Sequence, residues 1–177
     1  DVRRVLVDAL LQQPLPRLKV LSKYGSGVDK IDLAAAPDLR IPVTYCPGVN
    51  HVTVAAHTFG LLLSLTRLIP QQDALVRKGE WKRATGRELA GKTLGILGLG
   101  RIGKEVAKRA VAFEMKVCAF DLYWDEAFAK QHGVERKAAA EEVLQASEVV
   151  SLHMNLTGEN KEFVNAARIA LMRKGAY

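Results

Sequence analysis

The segment from Thr93 to Asp121 constrains the fold of this chain more tightly than any other. A short apolar run, Leu94–Leu97, leads into Gly98-Leu-Gly100-Arg-Ile-Gly103. A helical pattern follows, with Ile102, Val106, Ala110 and Phe113 recurring on one face. A second apolar run, Val117–Phe120, ends at an acid, Asp121. Brief apolar runs of this kind are what strands buried on both faces require. Strand, glycine turn, helix and strand in that order predict one βαβ unit of a parallel sheet.

The three glycines have different mechanical tasks. Gly98 permits a tight turn out of the strand, and Gly100 lets backbone N–H groups approach a pyrophosphate. Gly103 lets the helix lie close to the sheet, while the helix start supplies positive dipole. Asp121 stands about 20 residues beyond the turn, where an acid accepts the ribose hydroxyls of a dinucleotide. A carboxylate there repels a 2′-phosphate, so the expected cofactor is NAD rather than NADP. Without the second strand and its acid, the glycines alone would equally describe an ordinary strand-to-helix turn.

Charge and composition narrow the partners. The 177 residues carry 26 Lys and Arg against 19 Asp and Glu, a net charge of +7, with 49% hydrophobic residues. The basic residues are scattered and not interleaved with aromatics, so nucleic acid is not an expected partner. The longest apolar stretch, Phe59–Leu65, is too short to span a bilayer. Two cysteines, Cys46 and Cys118, form neither a disulfide framework nor a metal spacing, which makes a cytoplasmic location the expectation. No metal is expected.

Before this unit, Asp1–Asp8 and Leu18–Ser22 both read as strands. About ten residues separate them, including Pro14 and Pro16, too few for a parallel crossover. With no initiating Met, either the start is trimmed or residues are missing between the runs. Lys23–Asp32 is a glycine loop in which Gly25 and Gly27 flank Ser26 and expose N–H groups to an anion such as a carboxylate. Its plainer reading is a tight turn with Asp32 as a helix cap. Ile41–Tyr45 reads as a strand and Cys46–Asn50 as a turn. His51–Gly79 is helical, broken at Pro70, its first half apolar enough to be buried, and Glu80–Leu89 is a loop.

Beyond Asp121, Leu122-Tyr123-Trp124 either flanks an adenine or covers a sheet edge. Ala138–Ala146 is the clearest helix of the stretch that follows. Val149–His153 is a further strand, Asn165 caps a helix over Ala166–Met172, and Gly175–Tyr177 begins another strand.

Several of these segments together resemble the D-isomer-specific 2-hydroxyacid dehydrogenases, in particular phosphoglycerate dehydrogenase-like members. The matching stretches are Gly25–Asp32, Pro47–Asn50, Val54–Thr58, Gly79–Trp81, Gly91–Gly103, Val149–His153 and Leu171–Ala176, in the family's order from about Pro16 to the last residue. The resemblance implies a Rossmann-type doubly wound parallel sheet, truncated, plus part of a second, flavodoxin-like substrate domain. Residues 1–48 would be the partial substrate-binding domain. Residues 49–177 would be connecting helices and the dinucleotide-binding domain.

By the same resemblance, Ser26, Gly98, Gly100, Arg101, Ile102, Gly103, Asp121, His153 and Met154 are expected to bind the cofactor. Gly25, Ser26 and Gly27 are expected at the carboxylate of a small anionic 2-hydroxy or 2-keto acid. The implied activity is NAD-dependent interconversion of such a pair, for instance phosphoglycerate or glycerate and hydroxypyruvate, by a homodimer formed through the 51–79 helices and the dinucleotide domain. Two positions depart from the family pattern: Ala56 stands for its usual Glu, and His153-Met154-Asn155 for its His-x-Pro.

The family's substrate-binding Arg, its proton-transferring His and the orienting Glu are expected past Tyr177. Catalytic residues are therefore expected outside this chain. His51 reads as a loop residue, His57 as part of the buried helix and His132 as preceding a turn, none with an evident carboxylate partner. An NAD-sensing, non-catalytic scaffold or corepressor-like protein on the same fold is the alternative, since fold alone does not fix activity.

Overall fold

The computed structural model describes residues 18–177 apart from Lys30, Ala34 and Leu39. The strand expected at Asp1–Asp8 and the linker to Arg17 lie outside the described residues. The chain divides into two compact units, residues 1–50 and 51–177.

In the first unit, β1 (Leu21–Lys23) and β2 (Val43–Tyr45) pair in parallel, with Ser22 opposite Thr44. Between them lies one turn of helix, α1 (Ala35–Asp38). Asp32 is three residues ahead of that helix, not at its cap. The strand expected from Leu18 begins only at Leu21.

The second unit opens with α2 (His51–Thr66) and α3 (Ile69–Arg77), which meet at a bend of 64°. His51 is the first residue of α2 rather than a loop residue. The break falls at Leu68, not at Pro70: Leu68 takes a left-handed φ of 56°, and Pro70 sits in the first turn of α3. Proline is well suited there, because the first-turn N–H it lacks has no partner inside the helix. Nor is α2 buried all round. Ala55, Phe59, Leu62 and Thr66 are covered, whereas Leu61 and Leu65 are more than half exposed and His57 faces solvent.

The predicted βαβ unit is present as β3 (Thr93–Leu97), α4 (Arg101–Ala112) and β4 (Lys116–Phe120). After it come α5 (Glu126–His132), β5 (Val134–Arg136), α6 (Ala140–Ala146), β6 (Val149–Leu152) and α7 (Ala166–Leu171). All strand pairs are parallel and their order is β5-β4-β3-β6. The chain thus leaves β3 on one side, and later returns to its other side with β6. Tyr177 continues that growth: its N–H donates to Glu148 O and its carbonyl accepts Val150 N–H, the beginning of a parallel ladder beside β6.

Alternation along each strand sorts the core into two layers. Leu94, Ile96, Val117, Ala119 and Val149 pack with α2 and α4 on one face. Leu97, Cys118 and Val150 pack with Val143 and Leu144 of α6 on the other. Helices therefore cover both faces, the doubly wound arrangement expected of buried parallel strands. Gly95 shows how close the second layer lies. A Cβ there would sit 2.2 Å from Ser147 Oγ and 2.6 Å from Val143 Cγ1. On the first layer, Phe59 of α2 stacks on Phe113 with ring centroids 5.2 Å apart. Phe113 lies just past the end of α4, so the expected apolar stripe of that helix reaches its neighbour.

Candidate dinucleotide site

In an open parallel sheet the strand ends part at the point where the winding reverses, and a ligand can enter there. In this unit that point lies between the carboxyl ends of β3 and β6, where Gly98 follows one strand and His153 the other. Gly98 holds a φ of 97°, which a residue with a side chain rarely adopts. It also lacks room for one: a Cβ would stand 2.6 Å from Met154 N and 2.7 Å from His153 C. The His153 N–H donates to Leu97 O at 2.7 Å, which fixes this crossing. Gly98, His153 and Met154, predicted separately, are therefore brought together.

Helix α4 starts immediately above. Its first internal bond runs from Lys104 N–H to Gly100 O at 2.9 Å, so the N–H groups of Arg101, Ile102 and Gly103 precede the helical ladder. Gly103 is what allows this start to sit so low on the sheet. A Cβ on it would be 2.1 Å from Gly98 O. Gly100 is the reverse case, since a Cβ there would meet nothing within 4 Å. The space over Gly100 is open, as backbone approach by a pyrophosphate demands. Arg101 is exposed to solvent, whereas the Ile102 side chain packs on the core.

Asp121 lies at the end of β4, one strand over. Its Oδ2 accepts the Leu99 N–H at 2.5 Å and its Oδ1 accepts the Tyr123 N–H at 2.7 Å. Both oxygens keep further lone-pair capacity for hydroxyl donors. The acid thus pins the middle of the glycine turn while standing at the strand end where a ribose acceptor is expected. Leu122 and Tyr123 are more than four-fifths exposed, while Trp124 packs against the core and under Arg136.

Two further contacts border the site. Lys104, in the first turn of α4, pairs with Asp125 at 2.5 Å. Asp125 in turn caps α5, accepting the Phe128 N–H at 3.0 Å. The Lys104 ammonium and that cap hold the Asp125 carboxyl below its ordinary range. His153 Nε2 lies 2.8 Å from Ser151 Oγ, and burial pushes its imidazole pKa down, so the neutral ring is favoured. None of these partners was visible in the sequence. Leu99 and Tyr123 act through backbone amides that any residue carries, and Lys104 and Asp125 are 21 positions apart.

Ser26 and its glycines belong to the first unit. Ser26 Oγ donates to Asn50 Oδ1 at 3.3 Å, and Gly25 O accepts the Cys46 N–H at 3.0 Å. The loop is thereby tied to the turn that precedes His51. Among the described residues no group of three or more His, Cys, Asp or Glu could hold a metal ion.

The residues present fit a dinucleotide. The reversal of winding, the close strand crossing at Gly98, the open space at Gly100 and the acid at Asp121 are the features that dinucleotide phosphates and ribose require. Comparison with known proteins agrees. Residues 59–177 match the family described as D-isomer specific 2-hydroxyacid dehydrogenase, NAD binding domain. The chain is 42% identical over 162 residues to a D-3-phosphoglycerate dehydrogenase of Methanocaldococcus jannaschii, covering 90% of this chain and 31% of that protein. It is 38% identical over 179 residues to a glyoxylate reductase of Thermofilum pendens, covering 97% and 52%.

Among solved structures, D-lactate dehydrogenase from Aquifex aeolicus, complexed with NAD and lactic acid, superposes with a TM-score of 0.83 at 36% identity. That match covers 92% of this chain and 49% of the other. The chain thus spans between about a third and a half of these relatives.

Proposed function

The chain belongs to the family of D-isomer specific 2-hydroxyacid dehydrogenases, and from that premise we propose that the protein interconverts a small D-2-hydroxy acid and its 2-keto acid with NAD. The observation that carries the reading is Asp121. An acid at the end of β4, anchored to the glycine turn through Leu99, suits ribose hydroxyls and disfavours a 2′-phosphate. When bound, the cofactor supplies the hydride chemistry. The protein's own part is positional. The N–H groups at the start of α4 hold the pyrophosphate, Asp121 takes the ribose, and His153 and Met154 line the adenosine side.

Gly25, Ser26 and Gly27 offer backbone and hydroxyl donors to the substrate carboxylate. No residue of this chain is assigned the roles of the family's Arg, Glu and His. The protein works as a homodimer through α2 and α3 and the dinucleotide unit. The outward Leu61, Leu65 and Val76, all more than half exposed, support that surface.

Phosphoglycerate, glycerate with hydroxypyruvate, and glyoxylate are the first substrates to test. NADH oxidation by the full-length protein should appear with at least one of hydroxypyruvate, glyoxylate, pyruvate or phosphohydroxypyruvate. Tight NADH binding with no turnover on any of these would instead favour a non-catalytic NAD sensor.

A further inference from the structure

The segment after Asp121 is fastened at both ends to the elements that would hold the pyrophosphate. At its start, Asp121 accepts the Leu99 N–H of the glycine turn at 2.5 Å. At its end, Asp125 pairs with Lys104 of the first turn of α4 at 2.5 Å. Between these anchors stand the exposed Leu122 and Tyr123. The second anchor is itself braced. Asp125 also caps α5 through Phe128, and the Lys104 ammonium lies 5.4 Å over the Phe128 ring.

Lys104 is an odd choice for its position. A cation in the first turn of a helix opposes the positive end of the helix dipole, and its partner Asp125 offsets that cost. An exposed ion pair contributes little stability in general. A contact that is poor by helix rules and modest by stability rules calls for another role. We propose that the Lys104–Asp125 pair positions the 121–125 segment against α4, and so sets dinucleotide affinity without touching the dinucleotide.

This rests on the dinucleotide reading of the site and predicts something that reading does not. If Lys104 acted only as a charge near the pyrophosphate, Lys104→Met would weaken binding, while Asp125→Asn would free the charge and strengthen it. A strut fails whichever half is lost. Asparagine still caps a helix, and methionine keeps an apolar stem over Phe128, so both variants retain the local fold.

The experiment is titration of NADH and ADP-ribose into the full-length wild type, Lys104→Met, Asp125→Asn, the double variant and Lys104→Arg, with thermal melting of each. The expected result is that each single variant raises both dissociation constants by about three- to fivefold, the effect of a partly exposed pair. The double variant should be no weaker than the worse single one. Lys104→Arg should restore affinity, and melting temperatures should stay within about 2 °C of the wild type, as a sub-kcal/mol change requires.

Tighter binding by Asp125→Asn, additive losses in the double variant, unchanged affinity in both single variants, or losses that follow melting temperature and resist Lys104→Arg would each overturn the strut. A wild type that binds neither ligand would overturn the dinucleotide reading and the strut with it.

Discussion

Asp121 and Leu99 are joined side chain to backbone at 2.5 Å, across the gap between two neighbouring strand ends. The acid that closes β4 therefore also shapes the glycine turn, and in the proposed function it takes the ribose as well. Losing it would release the turn and remove the proposed ribose acceptor at once.

The first prediction follows from that coupling. Asp121→Asn should weaken NADH binding by roughly 10- to 100-fold, since hydrogen bonds to a charged group contribute about 1.5–3 kcal/mol. NADPH binding should weaken less or improve, because a repelling charge is gone. Parallel fluorescence titrations with the two cofactors measure both. Equal losses for NADH and NADPH would show that Asp121 shapes the turn without choosing the ribose.

The glycines give a second, contrasting pair. Gly103→Ala places a methyl 2.1 Å from Gly98 O, so α4 must lift off the sheet. Overpacking of this kind costs about 1–3 kcal/mol, and both melting temperature and NADH affinity should fall. Gly100→Ala meets no atom within 4 Å and its φ of −73° is ordinary. It should cost no more than about 1 kcal/mol, the scale of a weakened helix cap, yet reduce NADH affinity sharply. Intact NADH binding by Gly100→Ala would mean that the pyrophosphate does not approach there.

A third prediction concerns acid. The Lys108 ammonium and then the Arg109 guanidinium hold the Glu105 carboxyl down to about 2, against an ordinary 4.5. Between those values the unfolded chain binds more protons than the folded one. The stabilisation is therefore complete above pH 4.5 and is lost as pH falls through about 2. His153 has the same sign for another reason. Burial lowers its pKa from 6.5, so its contribution is present above pH 6.5 and declines as pH falls through the depressed value. Melting temperature should thus decrease in two stages on acidification. Asp125, Glu141 and Glu148 are also held low and share the lower stage, so Glu105→Gln should reduce it, and a profile identical to the wild type would contradict the assignment.

Much of this was legible in the sequence because it depends on local rules. The β3–α4–β4 unit follows from apolar runs, a helical period and glycine spacing, all within 29 consecutive residues. The Asn165 cap was legible for the same reason, and its side chain does accept the Arg168 N–H at 3.0 Å. What escaped depends on tertiary contact or on too little chain. β5 has three residues of which only Val134 is buried, so it shows no period. The break at Leu68 uses a left-handed leucine that no glycine marks, while the visible Pro70 drew the boundary two residues too late. Leu61 and Leu65 of α2 stay exposed because its apolar residues exceed the face it turns to the core and α4. The Lys104–Asp125 pair had no sequence signal at all.

Cofactor choice by the wild type tests the role of Asp121 most directly. NADH and NADPH should be titrated separately into the full-length protein by fluorescence. One saturable NADH site per chain, with NADPH at least about tenfold weaker as a repelled 2′-phosphate implies, is the predicted result. No saturable NADH binding, or NADPH bound as tightly as NADH, would contradict the role given to Asp121 and the site built around it.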